Sequence, residues 1–118
     1  MVLRLNLHPH RLPHILGSAM VQRDGPNVLA TVYTPALVDR SIAAGVDLSA
    51  MIGRVAAHEV AHLLLGSHSH SRVGLMRPYW DIAGVNPADW RFSGRDAAAI
   101  RSRLASEASR AAAAHPAN

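Results

Sequence analysis

The sequence predicts an α+β domain, and three observations carry that expectation. Val28-Leu29-Ala30-Thr31-Val32-Tyr33-Thr34 is β-branched, bounded by turn residues, and reads as a strand. A helix-forming stretch follows from about residue 48 to 65, with a glycine stop at Gly66. A second, rich in alanine, follows Ser93. The expected architecture is a small N-terminal sheet, a central helix packed on it, and a C-terminal helix alongside.

The N-terminal region holds two short apolar runs, Val2–Leu7 and Ile15–Gln22, separated by His8-Pro9-His10-Arg11-Leu12-Pro13. Two prolines in that connector oppose a helix and favour an extended path. Asp24-Gly25-Pro26-Asn27 reads as a turn, so 15–22 and 28–34 are expected to form a hairpin. Thr34-Pro35 has the pattern of an N-cap followed by a first-turn proline, opening a short helix through Ala44 that Gly45 stops. The loop after Gly66, residues 66–80 and on to Phe92, is interrupted at Gly74, Pro78, Gly84 and Pro87. A loop of that length in a compact domain points to function. Ser93-Gly94-Arg95-Asp96 resembles a capping box with Asp in place of Glu, opening a helix over about 93–113. His115–Asn118 is expected to fray.

At 118 residues the chain is read as one domain, 1–118, with 49% hydrophobic and 17% charged residues. Aromatic residues are only 4%, so the core must come from Leu, Val, Ile and Ala. There is no cysteine, which excludes disulfides and thiolate metal sites and leaves nitrogen and oxygen ligands. The net charge of +4 arises from arginine alone; these residues are scattered from Arg4 to Arg110 without aromatic interleaving, so no nucleic-acid partner is expected. The most apolar stretch, 48–66, contains Arg54, His58, Glu59 and His62, so no membrane span is expected. No basic start followed by an apolar block and cleavage site is visible, which suits a cytoplasmic protein or a secreted one freed of its leader.

The chemistry concentrates in His58-Glu59-Val60-Ala61-His62, and four of the eight histidines lie between His58 and His70. Helical residues four apart share a face, so His58 and His62 can direct two ring nitrogens at one ion. Glu59 points about 100° from His58 and returns to within about 60° of His62, which lets its carboxylate reach a metal-bound water without ligating the metal. This is the His-Glu-x-x-His arrangement of a zinc hydrolase with Glu59 as general base. A catalytic zinc needs a third protein ligand, and His68 and His70 both follow the glycine that can turn the chain back.

The run from His58 through Gly66, His68, His70 and Gly74 to Met76 resembles the metzincin-type zinc metallopeptidases, especially short bacterial proteins of predicted zinc-peptidase type. The resemblance implies a minimal zincin fold, a Zn2+ cofactor, and a peptide or protein substrate. It also implies that Gly66 is the turn glycine and Met76 the Met-turn residue. The chain departs from the family pattern, because the glycine is one residue late and the interval to Met76 is short. His70, in the His-Ser preceding Gly-Leu-Met, matches the short bacterial proteins and is the favoured third ligand, with His68 the alternative.

Other readings stay open beside it. The third ligand could be a carboxylate, Asp81 or Asp89, in a His-Glu-x-x-His hydrolase of another kind. The protein could bind zinc or peptide without turnover, or be an arginine-rich nucleic-acid binder with structural zinc. Met76 could be a plain core residue. Tyr79 and Trp80 fall where a substrate pocket wall would lie; Tyr79 could donate to an oxyanion, or either could pin the loop by packing. Residues 28–34 could serve as the strand that pairs with extended substrate. His8, His10 and His14 share no helical face and read as loop histidines rather than a second metal site.

Overall fold

The computed structural model describes residues 1–12, 14–22, 26–79 and 90–114. These residues form β1 (Val2–Asn6), β2 (Gly17–Ala19), β3 (Leu29–Tyr33), α1 (Thr34–Ala44), α2 (Leu48–Leu65) and α3 (Gly94–Ala114), an α+β arrangement. Asp24, Gly25 and 115–118, where the sequence suggests a turn and a frayed end, lie outside the described residues.

The sheet has the order β1-β3-β2. The hairpin is present in shortened form, with Gly17–Ala19 antiparallel to β3 and Ser18 opposite Thr31. The first apolar run becomes β1, parallel to β3, a pairing that the long intervening connector permits. The β-branched strand therefore takes the centre, where Ala30, Thr31 and Val32 are all buried. That position corrects the idea that 28–34 pairs with substrate, since both edges of β3 are already hydrogen-bonded. The open edges belong to β1 and β2.

Helix α1 begins at the expected cap residue, one position earlier than the sequence suggests. Tyr33 is the N-cap and makes no side-chain capping bond. Thr34 is already helical, and its hydroxyl donates to the Asn6 carbonyl at 3.0 Å, which ties the end of β1 to the start of α1. Helix α2 is capped by Asp47, whose carboxylate accepts the Ala50 N–H at 3.1 Å. Gly45 and Gly66 close α1 and α2 at φ of 66° and 63°, the left-handed conformation that glycine adopts without strain.

Two apolar clusters flank α2. Val32, Leu37, Met51, Val55 and Ala56 join the sheet, α1 and α2, while Ala61, Met76 and Ile100 join α2, the following loop and α3. By length and a mean hydropathy of 1.2, α2 is apolar enough to cross a membrane; here it packs against strands and both other helices. At the start of α3 the Ser93 hydroxyl accepts the Asp96 N–H at 3.1 Å. The reciprocal half of the expected capping box is absent because the Asp96 carboxylate instead accepts the Ser71 hydroxyl at 2.6 Å.

Candidate metal centre

His58 and His62 are buried on one face of α2, at 6% and 3% exposure, although an unpaired imidazole is costly to bury. Each ring is held by a backbone carbonyl of the following loop. His58 Nδ1 lies 2.8 Å from the Leu75 oxygen and His62 Nδ1 lies 2.7 Å from the Ser67 oxygen. A carbonyl can only accept, so Nδ1 carries the proton in both rings and Nε2 carries the lone pair. The two Nε2 atoms then face each other across 3.1 Å. In the neutral rings neither can donate, and two lone pairs at that distance repel. A cation between them removes the repulsion; on a tetrahedral zinc, with Zn–N of about 2.0–2.1 Å, two ligand nitrogens stand about 3.3 Å apart. The donor set fits the ion that the sequence implies.

The loop after α2 is shaped to bring a third imidazole to this point. Gly66 reverses the chain, with the Ser67 N–H donating to the His62 carbonyl at 3.2 Å. The Ser67 hydroxyl accepts the Ser69 N–H at 3.0 Å and so curls the loop back. Ser71 is then anchored twice, through its hydroxyl to Asp96 and through its N–H to the Met76 carbonyl at 2.9 Å. His70, between these anchors, stacks on His58 with ring centroids 5.3 Å apart and meets His62 edge-on at 4.9 Å. One ligand nitrogen from each of His58, His62 and His70 lies within 4.8 Å of the others, the one such group among the described residues. His68 lies outside that group; its ring is 5.9 Å from His62 and lines the same cleft.

The surroundings favour unprotonated imidazoles. Burial lowers the His58 pKa to about 4; its bond to Leu75 opposes the shift, while His62, His70 and Arg54 add to it. His62 and His70 are also lowered, each chiefly by burial. Burial alone pushes the Glu59 carboxyl up to about 7. Glu59 and the four histidines 58, 62, 68 and 70 line one cleft of about 650 Å³, which is also lined by all of β2 and by His10 and His14 of the β1–β2 connector.

Gly17 lets β2 approach this closely. A Cβ there would lie 2.7 Å from Val55 Cγ1 and 2.9 Å from Glu59 Cγ. Sequence reasoning passed over this residue, although a glycine within an apolar run is a signal of close backbone approach. It also passed over the carbonyls of Ser67 and Leu75, which no side-chain pattern reveals.

Met76 is 1% exposed in the cluster with Ala61 and Ile100, at the end of a tight turn in which Gly74 has φ of 80° and the Arg77 N–H donates to the Gly74 carbonyl at 3.2 Å. Tyr79 is 82% exposed on the cleft rim, which corrects the idea that it pins the loop by packing. His10 and His14 are not in the imidazole group but share its cleft; His8 does not line it. Trp80, Asp81 and Asp89 lie outside the described residues. Neither a protein-family model, nor a curated protein, nor a solved structure matches the chain.

Proposed function

We propose that this chain is a zinc-dependent metallopeptidase of metzincin-like, minimal zincin type, with His58, His62 and His70 as metal ligands and Glu59 as general base. The observation that carries the reading is the pair of Nε2 lone pairs facing each other at 3.1 Å, with His70 beside them and the half-buried Glu59 carboxyl on the same helix. A zinc ion held by the three imidazoles supplies Lewis acidity and lowers the pKa of a coordinated water towards about 7.

The chain's own groups do the rest. The Leu75 and Ser67 carbonyls hold the rings in the tautomer whose Nε2 can ligate. Glu59 accepts the water's proton and returns it to the leaving amine, and its partial burial, which raises its pKa above the ordinary carboxyl value, makes it a stronger base for the first transfer. The unpaired edge of β2, whose three residues all line the cleft, offers backbone groups to an extended peptide as an added strand. Tyr79, exposed at the rim, is free to reach towards a developing oxyanion. The turn ending in Met76 supports the metzincin-like assignment, with the late glycine and short interval as departures from the family.

The test pairs metal content with cleavage. H58A, H62A and H70A are expected to lose stoichiometric zinc, whereas H68A and D81A keep it. E59Q is expected to keep zinc and lose cleavage of a peptide library by about 10²–10⁴-fold, the usual contribution of a general base. Zinc retained in H70A and lost in D81A would move the third ligand to a carboxylate. Zinc bound at one equivalent with no cleavage by the wild type would leave a binding module.

A further inference from the structure

The cleft holds a cation that the proposed hydrolysis does not use. Among its described lining residues Glu59 is the one acid and Arg40 the one arginine. Arg40 is half-buried on α1, one helical turn from Leu37, which is packed in the core against α2. Among the described residues it makes no ion pair and no side-chain hydrogen bond. Guanidinium groups in partly desolvated clefts are ordinarily matched by carboxylates, because lowered dielectric strengthens the attraction and a planar fork binds a carboxylate with two parallel bonds.

His10 stands in the same cleft. Its Nδ1 accepts the Leu12 N–H at 3.0 Å, so the proton of the neutral ring is on Nε2 and available as a donor. Its ring meets Tyr33 edge-on at 5.0 Å, which holds it at the junction where β3 passes into the helix bearing Arg40.

We propose that Arg40, with His10 lining the same cleft, forms a subsite for a carboxylate of the substrate, either an acidic side chain or the C-terminus of a peptide. The subsite rests on the reading of this cleft as the place where peptide binds. It makes the enzyme selective for acidic or short, C-terminally anchored peptides, and it requires no change in the chemistry at Glu59.

Two measurements on the full chain test it separately from the hydrolysis. In the first, zinc-free protein is titrated with N-acetylglutamate α-amide, N-acetylalanine and N-acetylalanine amide, followed by amide and imidazole NMR shifts. One or both carboxylates should bind about tenfold more tightly than the neutral amide, with shifts at His10, and R40Q should remove the difference. R40K, which keeps the charge and loses the fork, should retain part of it. In the second, zinc-loaded protein cleaves matched peptides with acidic or neutral side chains and free or amidated C-termini. R40Q should raise KM for the carboxylate-bearing member relative to its neutral counterpart about tenfold, with little change in the kcat ratio. Which member responds identifies the source of the carboxylate. Equal binding of acids and amide, or a preference untouched in R40Q, overturns the subsite even where cleavage is robust. Arg40-dependent binding without any cleavage supports the subsite and sinks the peptidase reading instead.

Discussion

Helices α2 and α3 are of similar length, 18 and 21 residues, and stand in nearly opposite relations to the rest of the chain. Eight residues of α2 are buried, among them Arg54, His58 and His62, and its surface is covered by strands on one side and helices on others. In α3 only Ile100 is buried, and everything from Arg101 to Ala114 is exposed. Tertiary packing holds α2 in place, whereas alanine propensity carries much of α3. The difference shows how a small chain concentrates its packing. Packing is gathered around two imidazoles, and α3 contributes through its N-terminal half, where Asp96 holds Ser71, Ile100 packs with Met76 and Arg103 Nε donates to the Leu64 carbonyl at 3.1 Å.

The contrast can be broken most forcefully in the core. M51A should lower the unfolding free energy by about 2–4 kcal/mol, the usual result of emptying a packed site, while L104A on α3 should cost under about 1 kcal/mol. Denaturant midpoints measure both, and equal losses would mean that α3 is packed more extensively than its exposure indicates.

A second probe strikes the loop between the helices. In G74A the new Cβ would stand 2.8 Å from the Arg91 oxygen and 2.9 Å from the Ser93 nitrogen, at a φ of 80° that alanine resists. The turn must shift and carry the Leu75 carbonyl away from His58. Zinc affinity, measured by competition with a chromogenic chelator, should fall about 10–100-fold, as for other losses of an outer partner to a metal-ligating histidine.

D96A is the milder version. It frees the Ser71 hydroxyl beside His70 without disturbing His58 or His62, so zinc should weaken by roughly tenfold at the low end of that range. An unchanged affinity would separate α3 from the site altogether.

The smallest effect is a slope. Glu59 is raised from 4.5 to about 7, so between those values the folded metal-free protein holds a proton that the unfolded chain has released, and stability falls as pH rises. His58 is lowered from 6.5 to about 4, so across that interval the unfolded chain binds more protons and stability rises with pH. The two trends oppose each other over most of the range. E59Q removes the falling one, and the melting temperature of its zinc-free form should climb from pH 4 to 6.5 more steeply than that of the wild type.

Much of this layout is legible from residues near one another in the chain. Pro35, Gly45, Asp47 and Gly66 mark helix ends through local backbone preferences, and His58, Glu59 and His62 share a helix whose geometry is known in advance. The position of β3 was less accessible, because a strand's neighbours are chosen by contacts across the fold; only pairing with both β1 and β2 makes it central. His70 could be favoured over His68 only by resemblance, whereas its place beside His58 depends on the Ser67 turn and the Ser71–Asp96 bond. Arg40 and His10 gave no sign of belonging with the histidine motif. They enter the cleft through the packing of α1 and the β1–β2 connector, which no spacing encodes.

Leu75 shows what this means for reading such a site by mutation. Its side chain is buried, yet its link to the chemistry is its backbone: its N–H donates to the Arg91 carbonyl at 2.8 Å and its oxygen accepts from His58 Nδ1 at 2.8 Å. A substitution scan would score residue 75 by volume and greasiness alone, and would file it among the spacers. Replacing the Leu75–Met76 amide by an ester, which weakens the Leu75 carbonyl as an acceptor and leaves the leucine side chain untouched, is the alteration that would make its contribution visible.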